Sequence, residues 1–357
     1  TRLNYKAARD TLEKVRVALT KNVSTESSNP KTFRILDKKT VIKEMGAGIN
    51  LGNTMDGGLY DSSETGWQAY KTTKDYIKAL HDAGYNTVRI PVTWGSHIND
   101  DYTIDEAWIN RVQEIVDYCV DQDMYAIVNI HHDGAANHDD RGNNTPACWL
   151  DTYSQNIEKV YQKYEGVWNT IANRFKDYDE HVIFESMNEV TDAHGTATNE
   201  DDAVLNALNQ LFINTVRATG SNNTKRWLAI TGRFATTAAI TTMPEDTLAD
   251  SGDLGTTRLM FAVHIYKSNN NVRWSYDDLK QWQSSMSSSY KNVGNLDSNM
   301  PIYVGEYGVR TKAQNGSATG YNNAERALNY EMCAAIADFY NAVPVVWDQG
   351  TGNYLGV

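Results

Sequence analysis

HVIFESMNE, residues 181–189, begins as a buried strand and ends as something else. Through Phe184 it is a short apolar, β-branched run of strand length. It then delivers Asn188 and Glu189 at its tip. A strand covered on both faces has no use for such a carboxylate, because burying an unpaired charge is costly. The tip must therefore open onto a cleft.

Seven further runs of this kind flank it. They are GAGINLGN (46–53), NTVRIPV (86–92), YAIVNIHH (125–132), RWLAIT (226–231), LMFAVHIY (259–266), PIYVGEYG (301–308) and VPVVWDQG (343–350). None alternates cleanly, as expected for parallel strands covered on both faces. Helical patterns lie between them. Residues 74–83 place Ile77 and Leu80 on one face, with Gly84 as the stop. Residues 106–121 repeat Trp108, Val112, Ile115 and Cys119, and 322–340 repeat Leu328, Met332, Ile336 and Phe339. Strand–helix alternation of this length predicts a parallel α/β fold. Eight strands favour a (β/α)8 TIM barrel over an open sheet, and no GxGxxG follows the first strand.

The 357 residues suit one large domain, 1–357. Net charge is −12, from 33 basic and 45 acidic residues, which argues against a nucleic-acid partner. No apolar run approaches the roughly 18 residues of a membrane span. The first residues, TRLNYKAARDTLEKV, lack the apolar core of a signal peptide. Cys119, Cys148 and Cys333 contain no CxxC and allow at most one disulfide. Nine Trp and 21 Tyr against 7 Phe suit sugar-stacking surfaces and ordinary cores alike.

The eighth run ends near Trp347, with only ten residues left for a last helix. Residues 5–19 form an amphipathic pattern of Tyr5, Ala8, Leu12, Val15 and Leu19. Residues 1–20 are therefore expected to pack as the eighth helix, with 21–33 as a linker, making the chain a circular permutant. An ordinary N-terminal extension is the alternative.

Chemistry in such barrels sits at the C-terminal ends of the strands. The tips carry Asn50 and Asn53, Arg89, His131 and His132, Asn188 and Glu189, His264 and Tyr266, Glu306, and Trp347. Glu189 and Glu306 end the fourth and seventh strands, across the barrel axis from each other. Two carboxyls about 5 Å apart suit retaining glycoside hydrolysis. Arg89 and Tyr266 can hold Glu306 ionised. Asn188 can bind a sugar 2-hydroxyl. His264 can tune Glu189. Trp347 can offer a flat floor to a pyranose.

These residues carry a family likeness. GINLGNTMD (48–56), SSETGW (62–67), TVRIPVTWGSH (87–97), NIHHDG (129–134), FESMNEV (184–190), AVHIY (262–266), YVGEYG (303–308) and VVWDQG (345–350) resemble glycoside hydrolase family 5, the cellulases. The opening motif is most similar to the anaerobic bacterial and rumen-fungal endoglucanases. The resemblance covers nearly the whole chain. It implies Glu189 as acid/base and Glu306 as nucleophile. It places Arg89, His131, Asn188, His264, Tyr266 and Trp347 on near-invariant positions. Asn50, Trp67 and His132 fall where members often contact glucosyl units. WDQG (347–350) departs from the usual WDNG, and the relocated last helix is the other departure.

The expected activity is a retaining endo-β-1,4-glucanase acting on cellulose-like and mixed-linkage β-glucans. It is expected to need no cofactor or metal, and to be secreted, monomeric and free of membrane partners. Two rivals remain. A metal hydrolase could use His131, His132, Asp133 and His264, although adjacent strand residues point to opposite faces. A binding protein that has lost catalysis is the second. Loops 58–70, 134–150 and 266–274, with Trp67, Trp149 and Trp274, are expected to select the polysaccharide.

Overall fold

The computed structural model describes residues 32–57, 63–134, 148–152, 156–191, 199–237, 240, 243–247, 249, 257–266, 276–298, 300–309 and 323–350. The strands are β1 (Gly48–Asn50), β2 (Thr87–Ile90), β3 (Tyr125–Asn129), β4 (Val182–Glu185), β5 (Leu228–Thr231), β6 (Leu259–His264), β7 (Ile302–Tyr307) and β8 (Ala342–Val346). Each pairs in parallel with the next, and β8 pairs with β1, closing the barrel. The expected (β/α)8 barrel is what the chain forms. Asn188 and Glu189 lie beyond the last ladder residue of β4, where the backbone turns out of the sheet.

The helices are α1 (Lys38–Met45), α2 (Lys74–Asp82), α3 (Glu106–Val120), α4 (Ile157–Phe175), α5 (Asn199–Ala218), α6 (Tyr276–Leu296) and α7 (Asn323–Phe339). Side-chain caps set the starts of α2 and α3. Thr73 accepts from the Tyr76 N–H at 3.2 Å, and Asp105 accepts from the Trp108 N–H at 3.0 Å. α2 stops where Gly84 takes φ +97°, a conformation open to glycine. α1 precedes the barrel. Its Val41 and Met45, one turn apart, join Tyr125, Ile127, Trp227, Met260 and Tyr303 in a buried cluster inside the barrel. α1 thus plugs the end opposite the strand tips.

The β5–β6 connection differs from a strict strand–helix alternation. Among its described residues it holds a 3-10 turn, Arg233–Ala235, and no α-helix. Thr236, Thr237 and Pro244 are poor helix formers. Asp246 ties this stretch down, accepting from Arg217 of α5 at 2.9 and 3.0 Å.

β7 carries one extra residue. His264 pairs with Glu306 where continued register from the Val263–Val304 pair would give Gly305. The β8 side shows the same slip between Val304 and Tyr307. Tyr303 belongs to the cluster inside the barrel, and Val304 to the outer one beneath the helices. Strict alternation would send Glu306 outward with Val304. The bulge reverses the phase, so Glu306 turns to the axis and Tyr307 packs outward against Trp282 and Tyr330.

The three cysteines are buried, and none is in a disulfide among the described residues. Among the described residues no helix is long and apolar enough to cross a membrane. The expectation of residues 1–20 as the eighth helix lies outside the described residues. So does most of the expected linker 21–33, of which Thr32 and Phe33 are described as irregular chain.

Candidate active site

Arg89 is fully buried at the tip of β2. An arginine held there needs carboxylates around it. Its Nε and Nη2 donate to Glu185 Oε2 and Oε1 at 2.7 and 2.8 Å, a two-pronged ion pair. Nη1 donates to Asn50 Oδ1 and Glu306 Oε1, both at 2.9 Å. Nη2 also donates to Asn188 Oδ1 at 2.7 Å. One guanidinium therefore positions residues from β1, β4 and β7. The Tyr303 hydroxyl donates to Glu185 Oε2 at 2.6 Å. Arg89 and Tyr303 hold Glu185 ionised, below the usual carboxylate range, despite its burial. Sequence reasoning passed over Glu185. The signal was present, since a carboxylate within the apolar run VIFE needs a buried cation.

Glu306 accepts from Arg89 through Oε1 and from the Tyr266 hydroxyl through Oε2, at 2.9 Å each. Glu189 faces it from β4, with Oε1 2.6 Å from His264 Nδ1. A carboxyl oxygen of each glutamate and a His264 ring nitrogen lie within 4.8 Å of one another. Glu189 keeps 41% of its side chain exposed, whereas Glu306 is buried. Burial and the neighbouring Glu189 charge push Glu306 up, against the pull of His264, Arg89 and Tyr266. Burial also acts upward on Glu189, but in the free protein its His264 contact outweighs that and holds it low.

His131 is buried and stacked on Trp347, ring centroids 5.6 Å apart and 5° from parallel. The Val92 N–H occupies Asn129 Oδ1 at 3.2 Å, so Asn129 Nδ2 faces His131 Nδ1 at 3.1 Å. The neutral His131 ring then carries its hydrogen on Nε2. Burial, with Arg89 and the rings of His132 and His264 close by, pushes its pKa down, so the ring is neutral. Its Nε2 is 4.0 Å from both Asp56 Oδ2 and Glu306 Oε1.

The residues expected to contact sugar divide into two sets. Trp67 is 42% exposed and meets His132 edge-on, centroids 5.3 Å apart. These two line an accessible wall. Trp347 is only 5% exposed, so it offers an edge rather than an open floor. Its indole lies over Gly52, where a Cβ would stand 2.8 Å from Trp347 Cζ2 and collide with the Asp348 carbonyl. Asn50 is fully buried. Its amide donates to the Gly305 and Val346 carbonyls at 2.8 and 3.1 Å while its oxygen serves Arg89. Asn50 stands beneath the cleft, as a brace.

Asp133 does not join His131 and His132. It accepts from the Trp94 N–H and from the Trp149 indole at 2.7 Å, and burial pushes its carboxyl up to about 7. Lys163 lies over the Trp149 ring at 4.8 Å, so Trp149 is packed on that face. Trp274 and residues 58–62, 135–147 and 267–274 of the expected loops lie outside the described residues.

A closed barrel with two facing carboxyls at its strand tips defines a glycosidase of the two-glutamate class. The chain belongs to the cellulases, glycosyl hydrolase family 5, whose profile matches residues 37–353. Endoglucanase A of Paenibacillus barcinonensis is 33% identical, covering 91% of this chain and 85% of its own length. Endoglucanase A of Ruminococcus albus is also 33% identical, over 90% and 87%. A family 5 xyloglucanase from Paenibacillus pabuli superposes with TM-score 0.77 at 32% identity, over 88% of this chain and 93% of that one. A broad-specificity endoglucanase from Ruminococcus champanellensis, solved with bound cellotriose, gives 0.76 at 31%, over 91% and 94%. The chain is thus an endoglucanase-type glycoside hydrolase with a polysaccharide substrate, and its family works by retention with two glutamates.

Proposed function

We propose that Glu306 is the nucleophile and Glu189 the acid/base in the hydrolysis of cellulose-like and mixed-linkage β-1,4-glucans at internal bonds. The observation that supports this is the placing of the two carboxyls within 4.8 Å, with unlike neighbours. That spacing suits direct attack and leaves no room for the water an inverting pair holds between its carboxyls. Glu306, aimed by Arg89 and Tyr266, bonds to the anomeric carbon as the glycosidic C–O bond breaks. Glu189 gives its proton to the departing oxygen. Water then attacks the ester, Glu189 takes a proton back, and Glu306 is freed. Asn188 lends its oxygen to Arg89, so its amide hydrogens remain for the sugar 2-hydroxyl. In the free protein Glu189 is held low. A sugar ring that covers its exposed face removes water and raises it, moving the proton to the acid.

Trp67 and His132 form the sugar-binding wall, and Asn50 and His131 hold Arg89 and Trp347 in place. The protein acts as a secreted monomer, since a polymeric glucan cannot reach an enclosed enzyme. It needs water and no cofactor. The test is initial reducing-sugar release from barley mixed-linkage glucan, carboxymethylcellulose, xyloglucan, glucomannan and xylan, with excess chelator. Cleavage is expected on the linear β-glucans. No release from any, or loss of release on chelation, would overturn the assignment.

A further inference from the structure

Asp56, eight residues past the start of β1, is fully buried and has one oxygen left over. Oδ1 accepts from the Thr54 N–H at 2.9 Å. Oδ2 has no hydrogen-bond partner among the described residues. Leaving a buried charged oxygen unmet is costly, so its neighbours matter. The nearest are His132 Nε2 at 3.4 Å and His131 Nε2 at 4.0 Å. Three such side chains could hold a metal ion. Asn129 argues otherwise, because it leaves His131 with a hydrogen on Nε2 and no lone pair to give. The oxygen faces hydrogens.

We propose that Asp56 is a positioning residue for the sugar-binding wall. Its Oδ2 fixes His132 as the Nε2–H tautomer. Nδ1, which has no hydrogen-bond partner among the described residues, is then an acceptor for a sugar hydroxyl. The same ring meets Trp67 edge-on, so the buried carboxylate also sets the stacking platform. This rests on the reading of Trp67 and His132 as substrate contacts, but the tautomer does not.

Asp56→Asn isolates the effect. The Thr54 N–H still needs an oxygen, so the asparagine must turn its Nδ2 toward His132. A donor now faces Nε2, and the ring must invert to the Nδ1–H form. The tautomer is read from ring nitrogen and carbon shifts by NMR on protein labelled at histidine. We expect Nε2–H in the unaltered protein and Nδ1–H in D56N. KM for cellotetraose should rise about tenfold, as for one lost hydrogen bond, and kcat should fall by less. An Nδ1–H ring in the unaltered protein overturns the proposal, whether or not D56N folds. So does a D56N protein with unchanged tautomer. The expected inversion without cleavage of cellotetraose by either protein would instead sink the substrate reading.

Discussion

Glu306 receives two hydrogen bonds and Glu189 one close contact, and that asymmetry is the basis of the roles proposed for them. General-acid assistance is worth about 10²–10⁴-fold. Glu189→Ala should lose about that much on β-glucan and far less on dinitrophenyl cellobioside, whose leaving group needs no proton. Azide should rescue the second step, attacking the anomeric carbon of the Glu306 ester without help from a base, releasing Glu306 and giving a glycosyl azide. Steady-state rates on the two substrates check this. As the proposed nucleophile, Glu306 must be ionised to attack, so activity should fall as pH drops through its raised pKa. Tyr266 pulls that pKa down through its hydrogen bond. Tyr266→Phe should therefore move the acidic limb of kcat/KM to higher pH. An unmoved limb would mean that a different group controls it.

The elements do more than hold the residues at their tips, and β4 shows how. Its Glu185 meets Arg89 inside the barrel. Removing one partner of such a pair costs about 3–5 kcal/mol. Glu185→Gln should lose that much stability to urea at neutral pH. Glu185 titrates below its ordinary 4.5 when folded, so its contribution is present above that value and fades as pH falls through the folded pKa. The gap between wild type and E185Q should narrow as pH falls below 4.5 through the folded pKa. Urea midpoints across that range give the answer. The strands themselves were legible, because apolar runs of strand length state their own burial. So were Glu189, Glu306, Arg89 and His264, because polar groups at apolar tips have few uses. The Glu185–Arg89 pair was not, as its members are 96 residues apart and only the closed sheet joins them. Nor was the inward turn of Glu306, since a bulge inserts one residue without altering the composition of the run. Asn50 reads as a sugar contact in the motif, yet its neighbours Gly305 and Val346 come from the far end of the chain.

At the scale of the whole molecule, the barrel is anchored below by α1 and opened above by its tips. Its centre joins those ends through Glu185, Arg89 and Glu306. In the empty protein this buried group holds two carboxylates against one guanidinium. Burial and the neighbouring Glu189 charge push Glu306 toward its protonated form. Once Glu306 is esterified by a sugar, one carboxylate and one guanidinium remain, and the group is neutral. Trapping the ester with a 2-fluoro cellobioside should raise Tm by roughly 3 °C or more. In E185Q the ester would leave Arg89 alone, and the rise should vanish, which calorimetry on both proteins can check. On the proposed mechanism, the step that joins sugar to Glu306 also removes a buried charge that the barrel centre carries at rest.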